Sequence, residues 1–443
     1  MQLVQGAYRS GRLERGVQMR SVPDGFTASL MAVEGISDAR VFLHGPGGCR
    51  LYHMLDAVRA YPRLGSKGSY DYNVPFFYGH PRIPGSYEDW DDYICGSTEK
   101  LGEGLMVTDS FECELIAVVC SPGASLIGDD CDSVIEEAGL GDKAVYLKEW
   151  LISRTAAEGF DLTLANIVER FSERDLQKKK ATVNVLGLSV MDRDWTAVRE
   201  EVSHLLDLMG LEVNCILGAG CSMSEIRGIG RAETCITLCP DMSRRQAEAI
   251  RTIHGIDCIG SEFGAAIGFE STRSLICMLG AATGVDPAPA LDYISHKERI
   301  VFDAFMGSIG ITSRFRGMTF AVAGLPSVVL ALTHWLYRYL ALVPKSIVLD
   351  ESEQDGSEAI RDMLEGMGCP EALHDSGLVA DLLFCDESTA QCMERRGSCH
   401  AGIGIGLDGR MDLHTIPRPI YLTAGALYLL DEAARALRGL DSH

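Results

Sequence analysis

From residue 181 onward the chain alternates short apolar runs with amphipathic stretches across links of only a few residues, and nothing else in it restricts the fold so tightly. The pattern predicts strands at 182–190, 211–217 and 234–238, a short strand at 258, and helices over 195–209, 223–231 and 244–254. After helical stretches at 271–281 and 288–309 it restarts, with strands at 319–323, 344–349, 378–384 and 402–406 and helices at 325–340, 357–367, 388–396 and 423–437. Strands joined through helices pair in parallel, so each set predicts a parallel sheet wound with helices. The basic run Lys178-Lys179-Lys180 reads as a solvated junction ahead of the first set. Because 443 residues exceed what one core supports, the expected division is 1–180, 181–312 and 313–443, an α/β protein of three doubly wound parallel-sheet units.

The amino-terminal third carries the chemistry. A helix is expected at 27–33, an aperiodic loop rich in Gly, Pro, Tyr and Phe at 61–86, and an acid-rich helix over 89–108. Two further stretches share one design: an apolar run (Val41-Phe42-Leu43; Leu115 to Val119) that breaks into a turn carrying a cysteine, Gly45-Pro46-Gly47-Gly48-Cys49 and Cys120-Ser121-Pro122-Gly123. A buried strand followed at once by Gly and Pro delivers its side chain to the carboxyl end of a sheet, where open α/β folds keep their ligands. Glycines such as Gly47 and Gly48 let backbone crowd an inorganic cluster, and thiolates are the usual ligands of iron–sulfur clusters. Two separated cysteines form no CxxC run, however, and buried structural thiols would satisfy the same pattern.

Fifteen cysteines beside an amino-terminal segment that is basic and has no apolar centre point to a reducing cytoplasm rather than to disulfides. No stretch approaches eighteen uncharged apolar residues, so no membrane span is expected. A net charge of −22 would on average repel phosphate, which argues against nucleic acid and fits an acidic oligomer or a surface for a basic partner.

Three stretches, taken in their order and spacing, resemble the component 1 family of nitrogenases and nitrogenase-like reductases: His44-Gly45-Pro46-Gly47-Gly48-Cys49, Asp91-Asp92-Tyr93-Ile94-Cys95-Gly96-Ser97-Thr98-Glu99-Lys100-Leu101, and Cys120-Ser121-Pro122-Gly123-Ala124-Ser125-Leu126-Ile127-Gly128-Asp129-Asp130. That family includes protochlorophyllide reductase, nickel-sirohydrochlorin cyclase, methylthio-alkane reductase and cofactor-assembly scaffolds. The resemblance implies three Rossmann-like domains around a central cleft, and Cys49 and Cys120 as ligands of an iron–sulfur cluster shared with a facing subunit. Cys95 lies in a motif that supplies no ligand in the family and is expected to pack. Subunits holding the family's eight-iron cluster carry a further cysteine upstream of the glycine loop, whereas residues 21–39 here contain none. Asp24 stands roughly at that place, and a carboxylate ligates iron in one subunit of the protochlorophyllide reductase, although an Asp-Gly pair is also an ordinary turn. Two cysteines from each of two subunits suit a [4Fe-4S] cluster better than the larger one.

The resemblance also implies a second site. Gly218-Ala219-Gly220-Cys221 and Thr237-Leu238-Cys239-Pro240-Asp241 place thiols at strand ends, and in the nitrogenase catalytic subunit a cysteine and a histidine near the positions of Cys239 and His414 hold the active-site cofactor. Such a pair would permit a second, larger iron–sulfur cofactor; otherwise the cleft would take an organic substrate. Cys239 is one of five thiols between Cys215 and Cys258, and His414, shortly before Pro417, equally fits a capping or surface residue. The loop Gly264-Ala265-Ala266-Ile267-Gly268-Phe269-Glu270, which opens a helix, could bind an anion but reads more simply as a turn.

The expected partners are an identical or homologous component 1 subunit, in a dimer or heterotetramer, and an ATP-dependent iron protein, since this chain has no Gly-Lys-Ser/Thr phosphate loop. The leading expectation is therefore a catalytic-component subunit that relays electrons to substrate. A non-catalytic scaffold for metallocluster assembly and a metal-free Rossmann-type binding protein are the alternatives.

Overall fold

The computed structural model describes residues 22–61, 81–111, 113–148, 151–306, 315–350, 357–407 and 414–439. The basic amino-terminal arm, most of the 61–86 loop and the end of the 288–309 helix lie outside the described residues. Parallel pairing runs through three sheets. The first has the order β1-β2-β3, from β1 (Ala39–His44), β2 (Leu115–Cys120) and β3 (Ala144–Tyr146). The second has the order β5-β4-β6-β7, from β4 (Thr182–Leu186), β5 (Glu212–Ile216), β6 (Thr234–Thr237) and β7 (Cys258–Ile259). The third has the order β11-β10-β8-β9, from β8 (Thr319–Gly324), β9 (Val343–Leu349), β10 (Leu382–Cys385) and β11 (Ala401–Gly404). The chain is an α/β protein of three helix-wound parallel sheets, as the alternation required.

Six helices surround the first sheet: α1 (Gly25–Glu34), α2 (Gly47–Ala60), α3 (Asp92–Cys95), α4 (Thr98–Asp109), α5 (Cys131–Glu137) and α6 (Ala156–Phe171). Both faces of a parallel sheet are covered, and successive side chains go to opposite faces. Val41, Leu43, Leu115, Ala117, Val119 and Val145 accordingly join the largest core with residues of α1, α2 and α6. Phe42, Ile116, Val118 and Ala144 pack with Leu101 and Leu105 of α4 and Val134 and Ile135 of α5, with Cys120 and Tyr146 against them. The same alternation assigns His44, two residues beyond Phe42, to the face that carries Cys120.

Three elements of the amino-terminal third, α2, α5 and β3, have no counterpart among the elements expected from the sequence. The helix expected over 89–108 is two helices parted at Gly96, whose φ of 87° breaks the turn. The strand expected at 182–190 stops at Leu186, where Gly187 turns with φ 76°. The 378–384 strand begins only at Leu382, and the 223–231 helix ends as a short 3₁₀ turn, Ile229–Arg231. Lys178, Lys179 and Lys180 are exposed, with Lys178 Nζ donating to the His254 carbonyl and Lys179 paired with Glu212. In the 264–270 loop a side chain on Gly264 would strike the Ser327 backbone and one on Gly268 the Trp335 ring, so close packing occupies that turn. Among the described residues, no helix is long and apolar enough to cross a membrane.

Candidate metal centre

Cys120 ends β2 directly opposite His44 of β1. The chain leaves β1 through Gly45-Pro46 and enters α2 at once, so Gly47, Gly48 and Cys49 form that helix's first turn rather than a loop. Both sulfurs therefore stand at the carboxyl edge of the first sheet, each half-buried. Gly45 is required by close approach, since a Cβ there would lie 2.5 Å from Ser121 Oγ. Nothing lies within 4 Å of a Cβ placed on Gly48, which is exposed. Pro46 at the N-cap offers no side-chain acceptor, leaving the first-turn amides uncapped. Two half-buried thiols, uncapped amides at the positive end of a helix and an open glycine form a donor set that fits an anionic iron–sulfur group.

Cys131 Sγ lies 3.7 Å from the Cys120 sulfur, and Tyr146 packs against the same face of the sheet. Those contacts, that of Cys131 foremost, hold the Cys120 thiol below its ordinary value against the opposing effect of burial. Cys131 is pushed far up, first by its contact with Cys120 and then by burial, and Tyr146 is pushed up by burial and by the same sulfur.

Beside this pair lies a buried polar network. His44 Nε2 is 3.1 Å from Asp129 Oδ2 and 3.4 Å from Glu88 Oε1, while His44 Nδ1 is 3.0 Å from Ser86 Oγ. The Ser97 hydroxyl donates to Asp129 at 2.8 Å or to Glu88 at 3.1 Å, and the Ser97 amide donates to Asp129 Oδ2 at 3.0 Å. Burial raises Glu88. Burial also opposes ionisation of Asp129, but the hydrogen bonds from Ser97 and His44 outweigh it and hold that carboxyl below its usual range. His44, Glu88 and Asp129 bring ligand atoms within 4.8 Å of one another, with Ser97 among them. The network links the ends of β1, α4 and α5 around the thiol edge.

Outside that edge stand several exposed apolar side chains. Trp90, Ile94, Leu126 and Tyr52 are 86, 83, 77 and 72% exposed, and Tyr87 is exposed as well. Tyr93 ties this rim to the Cys120 turn: its ring is tilted against that of Trp90 with centroids 6.4 Å apart, and its hydroxyl stands where a Cβ on Gly123 would come within 2.8 Å.

The remaining candidates have other surroundings. Asp24 caps α1, its Oδ1 accepting from the Thr27 amide at 2.8 Å. Cys95 is exposed at the end of α3, contrary to the expectation that it packs: the break at Gly96 limits α3 to a single turn, of which only Asp92 is buried. Cys239, beyond β6, is fully buried, 3.6 Å from Ser327 Oγ and close to Tyr421. His414 Nε2 lies 2.7 Å from Asp194 Oδ2. Tyr421 also borders a cavity of about 270 Å³ at the carboxyl ends of β8 to β11, where Asp192, Asp350 and Asp386 meet Leu325, Ile405 and Ile420. Cys239 thus sits behind the cavity wall.

Sequence reasoning did not single out Cys131, Tyr146, Glu88, or the roles of His44, Ser97 and Asp129, though the last three fall inside the motifs that carry the family resemblance. Alternation along β1 and β2 could have placed His44 and Cys120 on one face. The pairing that brings in Tyr146 depends on β3, three residues too short to carry a pattern.

Three helix-wound parallel sheets, with two half-buried thiols toward the carboxyl edge of one, define a multi-sheet α/β protein with a candidate metallocluster edge. The model for nitrogenase component 1 type oxidoreductases matches residues 25–438, and the chain belongs to that family. Its curated relatives include one of the subunits of the light-independent protochlorophyllide reductase of Heliobacterium modesticaldum, 24% identical over an alignment of 244 residues that covers 50% of this chain and 46% of the relative. The same component of the Methylobacterium sp. reductase is 26% identical over 184 residues, 41% of this chain and 36% of the relative. The chain thus matches about half or less of the length of these relatives. Among solved structures, nitrogenase Cp1 at pH 6.5 superposes with a TM-score of 0.75 at 17% identity, over 94% of this chain and 92% of that one. Nitrogenase Cp1 at pH 5 gives 0.66 at 16% identity, over 95% and 90%. At such identity the likeness is one of fold.

Proposed function

We propose that the chain is a subunit of the catalytic component of an ATP-dependent two-component reductase. In this reading Cys49 and Cys120 supply its half of a [4Fe-4S] cluster shared with an identical or homologous subunit, and 1–180, 181–312 and 313–443 are its domains. The observation that carries it is the thiol edge: two half-buried sulfurs, one from the first turn of α2 and one from the end of β2, with exposed Tyr52, Trp90, Ile94 and Leu126 on the neighbouring turns and helices. Exposed aromatic and aliphatic side chains grouped in this way mark a protein interface, and ligands placed inside one are completed by the facing subunit. When bound, the cluster supplies one-electron storage. The chain's own residues hold it, present uncapped amides toward it and exclude water once the rim is covered.

ATP would be hydrolysed by a partner iron protein, as this chain has no phosphate-binding loop of the Gly-Lys-Ser/Thr kind. Substrate would enter the cavity bordered by Asp192, Leu325 and Tyr421. An organic substrate suits it better than a second metal group, because the Cys239 sulfur is fully buried behind Tyr421 and bonded to Ser327, and His414 is engaged by Asp194. Asp24, with one oxygen committed to the α1 cap, is not needed as a ligand.

The test is anaerobic turnover with an iron protein, ATP and candidate unsaturated substrates. Iron-bearing protein that forms product only with ATP and the iron protein supports the proposal. Iron-bearing protein with no such turnover points to an assembly scaffold, and colourless protein with negligible iron to a metal-free binding protein.

A further inference from the structure

We propose that Cys131 and Tyr146 set the reduction potential of the group bound at Cys120 by donating hydrogen bonds to its sulfur from the core side. This rests on the assignment of Cys120 as a ligand. Tyr146 ends β3 and pairs with Val118, two residues before Cys120, so parallel register puts its ring on the face that carries the Cys120 side chain. Cys131 opens α5 on that face, fixed there by Asp130, whose side chain accepts from the Ser133 amide. Its sulfur stands 3.7 Å from that of Cys120, and Tyr146 packs beside Cys120 against the same cluster.

A thiol so close could instead be a ligand. Cys131, however, is 1% exposed and embedded in the apolar cluster of Phe42, Leu105, Val118 and Ile135, whereas Cys120, at the end of its strand, is only half-buried. A [4Fe-4S] cluster also takes a single protein sulfur at each iron, which leaves a neighbouring thiol the role of donor. Each donor draws negative charge from the ligating sulfur. The reduced state carries one more electron and gains more from that withdrawal, so each donor makes the group easier to reduce. No bond forms or breaks in the step: one electron arrives from the reductant and resides on the bound group.

The experiment uses the full assembly, purified without oxygen, as Tyr146→Phe, Cys131→Ala, Cys131→Ser and the Tyr146→Phe/Cys131→Ala pair. Iron per protomer is measured, and the midpoint potential is read by a dithionite titration followed by electron paramagnetic resonance. Expected are unchanged iron in every variant, a more negative midpoint in Tyr146→Phe and Cys131→Ala, a larger shift in the pair, and a smaller one in Cys131→Ser, which keeps a donor hydroxyl. Loss of iron in Cys131→Ala alone would make Cys131 a ligand and overturn the inference. So would a midpoint unmoved by both single changes. If Cys131→Ala fails to fold, the half-buried and isosteric Tyr146→Phe decides alone. Parent protein without iron would instead overturn the assignment of Cys120.

Discussion

Cys49 and Cys120 reach the same sheet edge by different routes, one in the first turn of a helix and the other as the last residue of a strand. Replacing either by Ala is expected to abolish or destabilise the bound cluster, seen as lost iron and lost brown absorbance after anaerobic purification. Cys95→Ala, at an exposed position, is expected to leave both unchanged. Brown colour and full iron surviving in both Cys49→Ala and Cys120→Ala would remove the site. A second residue-level test concerns Asp192, whose carboxyl is fully buried at the cavity wall and pushed up to about 7 by that burial. Because its folded value exceeds its ordinary 3.8, the folded state holds the proton more tightly, and stability is present below about pH 4 and lost as pH rises through 7. Asp192→Asn is expected to match the parent near pH 4 and to exceed it at pH 8 by on the order of 3 kcal/mol in urea unfolding. A difference that is the same at both pH values would contradict this.

Helix α6 crosses α1 at backbone contact. A Cβ on Gly159 would come 2.2 Å from the Gly25 carbonyl oxygen, and one turn on, Thr163 Oγ1 donates to Ser29 Oγ at 2.7 Å. Gly159→Ala is expected to force the helices apart and lower stability by about 1–3 kcal/mol, read as a lower thermal midpoint, with iron per folded protomer unchanged. The same elements show how far the sequence could be read. The second and third sheets were legible because their strands are apolar runs bounded by long periodic helices such as Arg244–His254 and Ser357–Met367, whose limits match those expected. The break between α3 and α4 was not. Residues 89–108 are continuously helix-compatible, and the interruption at Gly96 accompanies a contact from far along the chain, Asp129 taking the amide and hydroxyl of Ser97. Cys49 and Cys120 were legible from the glycine turns after apolar runs. Cys131 and Tyr146 were not, since their relation to Cys120 lives in strand register and in the entry of α5, which have no local signature.

On the scale of the whole molecule, a chain of net charge −22 nevertheless exposes four large apolar side chains, Tyr52, Trp90, Ile94 and Leu126, in the region where the shared site is proposed. Trp90→Asp combined with Leu126→Asp is expected to shift the native mass toward the monomer and to lower iron in parallel, while far-ultraviolet circular dichroism stays that of the parent. A monomer that retains full iron would separate cluster binding from assembly. The most direct measurement is the anomalous iron density in crystals of the assembled protein grown without oxygen. Expected is iron within bonding distance of Cys49 and Cys120 at the boundary between two protomers. Iron bound elsewhere, or the two sulfurs lying apart and away from any protomer contact, would contradict the proposed relay.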